Sequence, residues 1–311
     1  VATSENSIQE SIAQIYIQIL YAAESVRVNE NTLQVSIAQR DRGQELLNAG
    51  SIAKSDFAQL EAQVSTDRYQ LVTAQATLQD YKLQLKQLLE LDGENEMNIY
   101  LPALSDENVL SPLPAKRDVY VSALALRPEI EASKLNVNAS ELGIDIAKSG
   151  YLPTVSLSAG IGTNHTSGSD FTFGEQVKNG WNNSIGLSVS VPIFNNRQTK
   201  SAVQKAKLQY ETSMLSLLDE QKALYKTIEG LWLDANSAQQ RYAAANEKLK
   251  STQISYNLIS EQFNLGMKNT VELLTEKNNL LQAQQEQLQA KYMAILNTQL
   301  LKFYQGDKLA L

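Results

Sequence analysis

No cysteine occurs in the 311 residues, histidine occurs once, and aromatic residues make up only 7%. The first absence removes thiol catalysis, thiolate metal sites and disulfides together, without fixing the compartment. The single histidine, His165, stands alone in a Gly/Ser/Asn/Thr loop. No run of about 18 apolar residues is present to predict a membrane helix, although the alternating strands of a β-barrel escape that test. Nothing at the start looks like a signal peptide. A net charge of -7 with no basic stripe disfavours nucleic acid as a partner, because a polyphosphate is normally met by concentrated Lys and Arg. Mean hydropathy of -0.29 and the scarcity of aromatics suit long helices better than a large globular core.

What the sequence does contain is heptad periodicity. Residues 1–48 read as one helix, with Ile12, Ile19, Val26 and Leu33 recurring every seven residues beside Ile8, Ile15 and Ala22. Gly50 stops it. A second helix runs from near Ser55 to about Leu91. Phe57, Val64, Leu71, Leu78 and Leu85 form one of its series, and Leu60, Ala74, Tyr81 and Leu88 most of the other. So short a connection requires an antiparallel helical hairpin. The arrangement recurs: Asn196 to Asn264 reads as a helix of roughly 100 Å at about 1.5 Å per residue. Gly266 ends that helix, Asn269 and Glu272 form a capping box, and a last helix with Leu274, Leu281, Leu288 and Ile295 in register runs to about Tyr304. Superposing Gly50 on Gly266 aligns Glu45 with Glu261, Asn48 with Asn264, Asp56 with Glu272 and Leu60 with Glu276, which reads as an internal duplication of organisation more than of residue identity.

Between the hairpins lie a stretch with Pro102, Pro112 and Pro114, read as an irregular or partly helical belt, and a shorter helix opened by Pro128 and Glu129 and closed by Gly150. Two alternating segments then stand out. Val155, Leu157, Ala159 and Ile161 share one face of the first, opposite Ser156, Ser158, Gly160 and Gly162. In the second, which extends to Phe194, Ile185, Leu187, Val189, Val191 and Ile193 oppose Gly186, Ser188 and Ser190. An isolated pair is marginal and exposes two edges, so several chains are expected to contribute shares of one closed barrel, apolar outside and small-polar inside.

Leu126-Arg127-Pro128-Glu129 opening a helix, Tyr151-Leu152-Pro153 entering a strand and Val191-Pro192-Ile193-Phe194 leaving one, together with the turns Asn48-Ala49-Gly50 and Asn264-Leu265-Gly266, resemble the TolC-type outer membrane efflux protein family over essentially the whole chain. The resemblance implies a mainly α fold with a membrane β-barrel contribution, in which an α-barrel of long coiled-coil hairpins continues into strands shared in a trimeric barrel. On that reading 1–91 is the first long hairpin, 92–126 an equatorial belt and 127–150 a short α-barrel helix. Residues 151–195 are then an outer-membrane strand pair with its external loop, 196–304 the second hairpin and 305–311 a tail. The family pattern has two strand pairs where this sequence shows one. The expectation is therefore that the sequence begins inside the first long helix, with a preceding helix, strand pair and any signal or lipidation segment upstream.

The function so implied is that of an outer membrane exit duct of a tripartite efflux or type I secretion system, a passive conduit for small molecules or proteins. It would be a homotrimer in outer membrane lipid with a long periplasmic extension, docked on a periplasmic adaptor (membrane fusion) protein and served by an inner-membrane transporter. A non-conducting secreted or surface coiled-coil assembly protein is the alternative. No catalytic residue, cofactor or metal is assigned, because the carboxylates lie on periodic helix surfaces with no candidate cleft. Asp56 and Glu272 are the candidates for a periplasmic aperture, the alternative being first-turn acids that stabilise their own helices. Asn48, Gly50, Ser51, Lys54, Asn264, Gly266, Lys268 and Asn269 form the candidate adaptor-docking tips. Ser156, Ser158, Ser188 and Ser190 are candidate lumen-facing strand residues, and Phe171, Phe173 and Trp181 a candidate aromatic girdle. Arg127 reads as a local salt bridge that fixes a helix start.

Overall fold

The computed structural model describes residues 1–91, 99, 100 and 109–309. Pro102 and the other belt positions 92–98 and 101–108 lie outside the described residues, as do tail positions 310 and 311. The elements run α1 (Ala2–Asn48), α2 (Lys54–Leu88), α3 (Lys116–Leu126), α4 (Pro128–Ser149), β1 (Thr154–Gly162), α5 (Phe173–Asn179), β2 (Asn182–Ser190), α6 (Gln198–Asn264) and α7 (Thr270–Gln305). They fall into two compact units, one of residues 1–129 and 221–311 and one of 130–220.

In the first unit α1 and α2 pack as an antiparallel pair. The α1 series that begins Ile15 and Ala22 continues as Asn29, Ser36 and Gly43, all of them buried. These small and polar residues let α2 approach closely: Gly43 lies directly against the Leu60 side chain, and the Ser36 hydroxyl donates to Asp67. A move of seven residues back along α1 carries the contact seven residues forward along α2, as an antiparallel coil requires. The buried face of α1 is wider than a two-position seam, because α1 also packs on α7; Ala13, Ile17 and Leu20 are buried beside Ile19 and Ala22. Ile17, Leu20, Tyr242, Ala294, Ile295 and Leu300 belong to the main core, and Leu46, Leu60, Phe263 and Leu273 to a second one near the turns.

The belt is tied to α6. Trp232 donates its indole N–H to the Pro114 carbonyl at 3.1 Å, and Gln239 donates to the carbonyls of Val109 and Ser111 at 2.9 and 2.8 Å. At the start of α4 the guanidinium of Arg127, only 5% exposed, reaches the Glu10 carboxylate at 2.7 Å and the Glu129 carboxylate at 3.7 Å, and stacks 3.6 Å from the Tyr304 ring centre. The local salt bridge read from the sequence thus clamps three helices. α7 stops where Gly306 takes a left-handed backbone, φ 109°.

Burial and the neighbouring Glu24 push the Tyr292 phenol up to about 12, and burial and Glu10 do the same for Tyr304. A phenol whose proton is held more tightly in the folded chain contributes stability in full below the free value of 10.0, and loses it as the pH rises through the folded value. Thermal unfolding midpoints should therefore fall between pH 10 and 12, and less steeply in Tyr292→Phe; identical profiles for the two proteins would refute the assignment.

In the second unit β1 and β2 pair antiparallel with Thr154 opposite Ser190, Val155 opposite Val189, Leu157 opposite Leu187 and Gly162 opposite Asn182. β2 ends at Ser190, earlier than the alternation to Phe194 predicts, because the ladder is bounded by Pro153 on one strand and Pro192 on the other, and neither can donate. α6 likewise starts after Asn196 and Arg197, whose φ values of 49° and 63° are left-handed. Along the helices of this unit the hydroxyls of Ser140 and Ser213 meet at 2.7 Å.

The expected share in a closed barrel is corrected here. Among the described residues β1 and β2 form a two-stranded sheet, and no further strand pairs with either edge. Alternation reports two chemically different faces; it does not report how many strands a ladder contains. No helix among the described residues is long and apolar enough to cross a membrane. What stands is a mainly helical fold built on long hairpins.

Candidate functional site

The two hairpin turns share one geometry. In the first, Gly50 donates to Leu47 O at 2.9 Å and Ser51 to Leu46 O at 2.8 Å; in the second, Gly266 donates to Phe263 O at 2.9 Å and Met267 to Gln262 O at 2.8 Å. Both glycines have φ 72°, a left-handed conformation that closes the helix and that a side chain would strain. The turns so formed leave Asn48, Gly50, Ser51, Lys54, Asn264, Gly266 and Asn269 exposed and Lys268 half-buried.

The helices that leave the turns are capped unequally. Asn269 Oδ1 accepts the Glu272 N–H at 2.9 Å while the Glu272 carboxylate accepts the Asn269 N–H at 3.3 Å, a complete capping box. Asp56 accepts the Ala53 N–H at 3.4 Å, but alanine has no side-chain acceptor to return the bond, so that box is half made. Lys268 Nζ sits 2.5 Å from Glu272. Its hydrogen bond, then the Asn269 N–H, holds the Glu272 carboxyl below the usual carboxylate range. Each acid therefore serves its own helix start. Arg42 on α1 donates to the Asn264 carbonyl at 3.2 Å, which fixes the second turn against the first hairpin.

Sequence pattern missed the apolar residues of the second tip. Leu265 and Met267, flanking Gly266, are 74% and 71% exposed, while Phe263 one turn earlier is buried with Leu46, Leu60 and Leu273. In the sequence Leu265 lies outside every heptad series, whereas Met267 stands seven residues before Leu274 and extends that series past the helix start.

The other candidates lie in the second unit. Ser156 faces Ser188, Thr154 faces Ser190 and Ser158 faces Gly186, so the four serines share one face of the strand pair, and Ser158 donates to the Gly186 carbonyl at 3.3 Å. Both faces of the sheet are exposed, and on the apolar one Leu157 and Ile185 are 75% and 84% exposed. Phe171, Phe173 and Trp181 are exposed too. Phe173 opens α5, a short helix begun by a Thr172–Glu175 capping box, and packs edge-on against His165 at 5.3 Å.

A groove of about 550 Å³ lies between α6 and α7 in the first unit. Its buried alanines, Ala238, Ala245 and Ala290, form the floor; Lys248 pairs with Glu286 at 2.7 Å, and Asp234 and Arg241 also line it. It brings together no acid and base of the kind a reaction requires.

Residues 119–306, well over half the chain, match the protein family described as outer membrane efflux protein. The chain is 24% identical over 294 residues to the outer membrane efflux protein BepC of Brucella suis biovar 1, covering 94% of this chain and 61% of that protein. It is 25% identical over 308 residues to the outer membrane protein TolC of Escherichia coli K12, covering 95% and 60%. The fold is similar to that of CusC, with a TM-score of 0.82 at 19% identity over 99% of this chain and 70% of CusC. It is also similar to that of the outer membrane protein VceC of Vibrio cholerae, with a TM-score of 0.76 at 18% identity over 98% and 71%. The chain spans about three-fifths of the length of these curated relatives.

Proposed function

Because the chain belongs to the outer membrane efflux protein family, we propose that it serves export as a transport protein, not an enzyme, acting as a coiled-coil assembly module whose hairpin tips dock another protein. The exit-duct reading made from sequence is corrected: the strands stop at a two-stranded sheet, and the described residues of this chain enclose no passage. The reading kept is the assembly one. The observation that carries it is the pair of superposable glycine turns, one of which presents exposed Leu265 and Met267.

The partner of the tips is a periplasmic adaptor protein, itself tied to an inner-membrane transporter, and the chain associates with two further copies of itself. The outer membrane is the family's place, and the hairpins extend from it into the periplasm. Asp56 and Glu272 put a carboxylate beside each turn, so an adaptor surface bearing Lys or Arg is favoured over an acidic one.

A photo-crosslinking residue at position 267, in cells that carry the cognate adaptor, should yield a tip–adaptor adduct. Leu265→Ala should lower that yield about tenfold, as loss of a buried interface anchor does, with helix content unchanged. An undiminished adduct, or none in the unsubstituted protein, would sink the docking role.

A further inference from the structure

Lys277, Asp67 and Ser36 form a polar cluster inside an otherwise apolar seam. Lys277 of α7 donates to both the Asp67 carboxylate of α2 and the Ser36 hydroxyl of α1, and Ser36 in turn donates to Asp67. Gln63 completes the set, donating to the second Asp67 oxygen at 2.9 Å. The side chains of Lys277 and Asp67 are 4% and 3% exposed. The pairs Arg127–Glu10, Arg127–Glu129, Lys116–Glu229, Lys248–Glu286 and Lys268–Glu272, by contrast, each keep at least one partner a quarter exposed or more.

A pair so thoroughly desolvated gives up most of its Coulomb attraction to the loss of hydration, so apolar side chains in the same place would hold the helices together as well or better. What apolar residues cannot do is discriminate between positions along a heptad. Asp67 falls in the series Leu60, Ala74, Tyr81 and Leu88, and Ser36 in the series Ala22, Asn29 and Gly43. A slide of α7 by one heptad along α1 would remove Lys277 from this layer and leave the Asp67 charge buried against helix surface without its cation. The short turns already fix each hairpin internally; they do not fix α7 against α1 and α2.

We propose that the Ser36–Asp67–Lys277 cluster is a register pin, a buried charge layer that allows the second hairpin one longitudinal position against the first. It contributes specificity of packing in place of net stability. The pin presents both tips in one fixed offset to whatever they meet.

The absence of cysteine from the chain makes the test direct. Thr32 and Gln284 line the same small cavity between α1 and α7. Full-length protein with cysteines at these two positions reports the native register through a thiol crosslinker, and cysteines at Ser25 and Gln284 report a slip of one heptad. In the unsubstituted background only the first pair should crosslink efficiently. Replacing both charges, Asp67→Leu with Lys277→Leu, should leave helix content and the unfolding midpoint near those of the parent. It should also raise the yield of the slipped pair at least about threefold, because the buried-charge penalty on the wrong layer is then removed while the Arg42 and Arg127 contacts stay in place. The single change Lys277→Met strands the Asp67 charge and should lower the midpoint by roughly 10 °C, while Lys248→Met, which breaks an exposed pair, should not. Native-only crosslinking in the double-leucine protein, with midpoints like the parent, would overturn the pin. So would a Lys277→Met protein as stable as the parent. Neither result depends on adaptor docking.

Discussion

Arg127→Met is expected to destabilise the first unit by about 3–5 kcal/mol, the cost of stranding buried charge, read from urea unfolding midpoints. The guanidinium is nearly inaccessible and is the cation that both Glu10 and Glu129 approach, so its removal leaves two carboxylates about three-quarters buried without their cation. It also lies over the rings of Tyr304 and Phe303, 3.6 and 5.0 Å from their centres, and methionine keeps only part of that contact. Arg127→Lys should recover little, because an ammonium point charge cannot span two carboxylates and lie flat on a ring together. A second change settles which part of the loss is electrostatic. Adding Glu10→Gln to Arg127→Met removes one stranded charge and should restore 1 kcal/mol or more, on the order of the penalty for a buried unpaired group. If Arg127→Met costs less than about 1 kcal/mol, the cluster behaves as a screened surface pair, and its role in joining α1, α4 and α7 fails.

Much of this architecture was legible because its signals are local. The long helices α1, α2 and α7, the glycine turns and the Asn269–Glu272 box all depend on residues within a turn or two of one another, and each formed as the sequence predicts; the heptad series did so in part, Ile8 being exposed and Leu273 and Leu280 buried beside the half-buried Leu274 and Leu281. What escaped depends on partners far away in sequence. Ser36, Asp67 and Lys277 interrupt the apolar series and read as weak positions in their own helices; their meaning appears only when residues 31 and 241 apart come together. Leu265 escaped for the opposite reason, since periodicity rewards apolar residues that repeat and is blind to one that stands alone on a turn; Met267 continues the Leu274 series one heptad back, where the helix has already ended. The end of β2 was readable from Pro192, had the missing N–H been weighed above the alternation that continues to Phe194. α5 carried a visible Thr-x-x-Glu signal at Thr172 and Glu175 inside a loop read only for its aromatics. The closed barrel was an inference from the cost of bare edges, and a cost says that an edge needs covering without saying by what.

Gly43→Ala is expected to change sign with its neighbour. On an exposed helix the substitution would stabilise by about 1 kcal/mol, the difference in helix propensity between the two residues. Gly43 is not exposed: it is buried in α1 where the Leu60 side chain fills the space a methyl group would take, and Leu60 is 1% exposed in the second core with no room to withdraw. Overpacking of that kind typically costs about 1–3 kcal/mol, so Gly43→Ala alone should destabilise the hairpin. Leu60→Ala alone should cost about 2–5 kcal/mol through lost burial and the cavity left beside Phe263 and Leu273. In the double variant the clash is gone, the new methyl group fills part of the cavity, and the propensity gain returns. Gly43→Ala should then stabilise the Leu60→Ala protein by roughly 1 kcal/mol, a non-additivity of at least about 2 kcal/mol in the cycle. Additive effects would mean that α1 and α2 are not in van der Waals contact at this layer. The same cycle bears on docking, because Leu60 sits in the core directly beneath both turns. A Leu60→Ala protein that loses the adaptor adduct and regains it with Gly43→Ala would show that the tips bind as a packed, fixed surface and not as two independent loops.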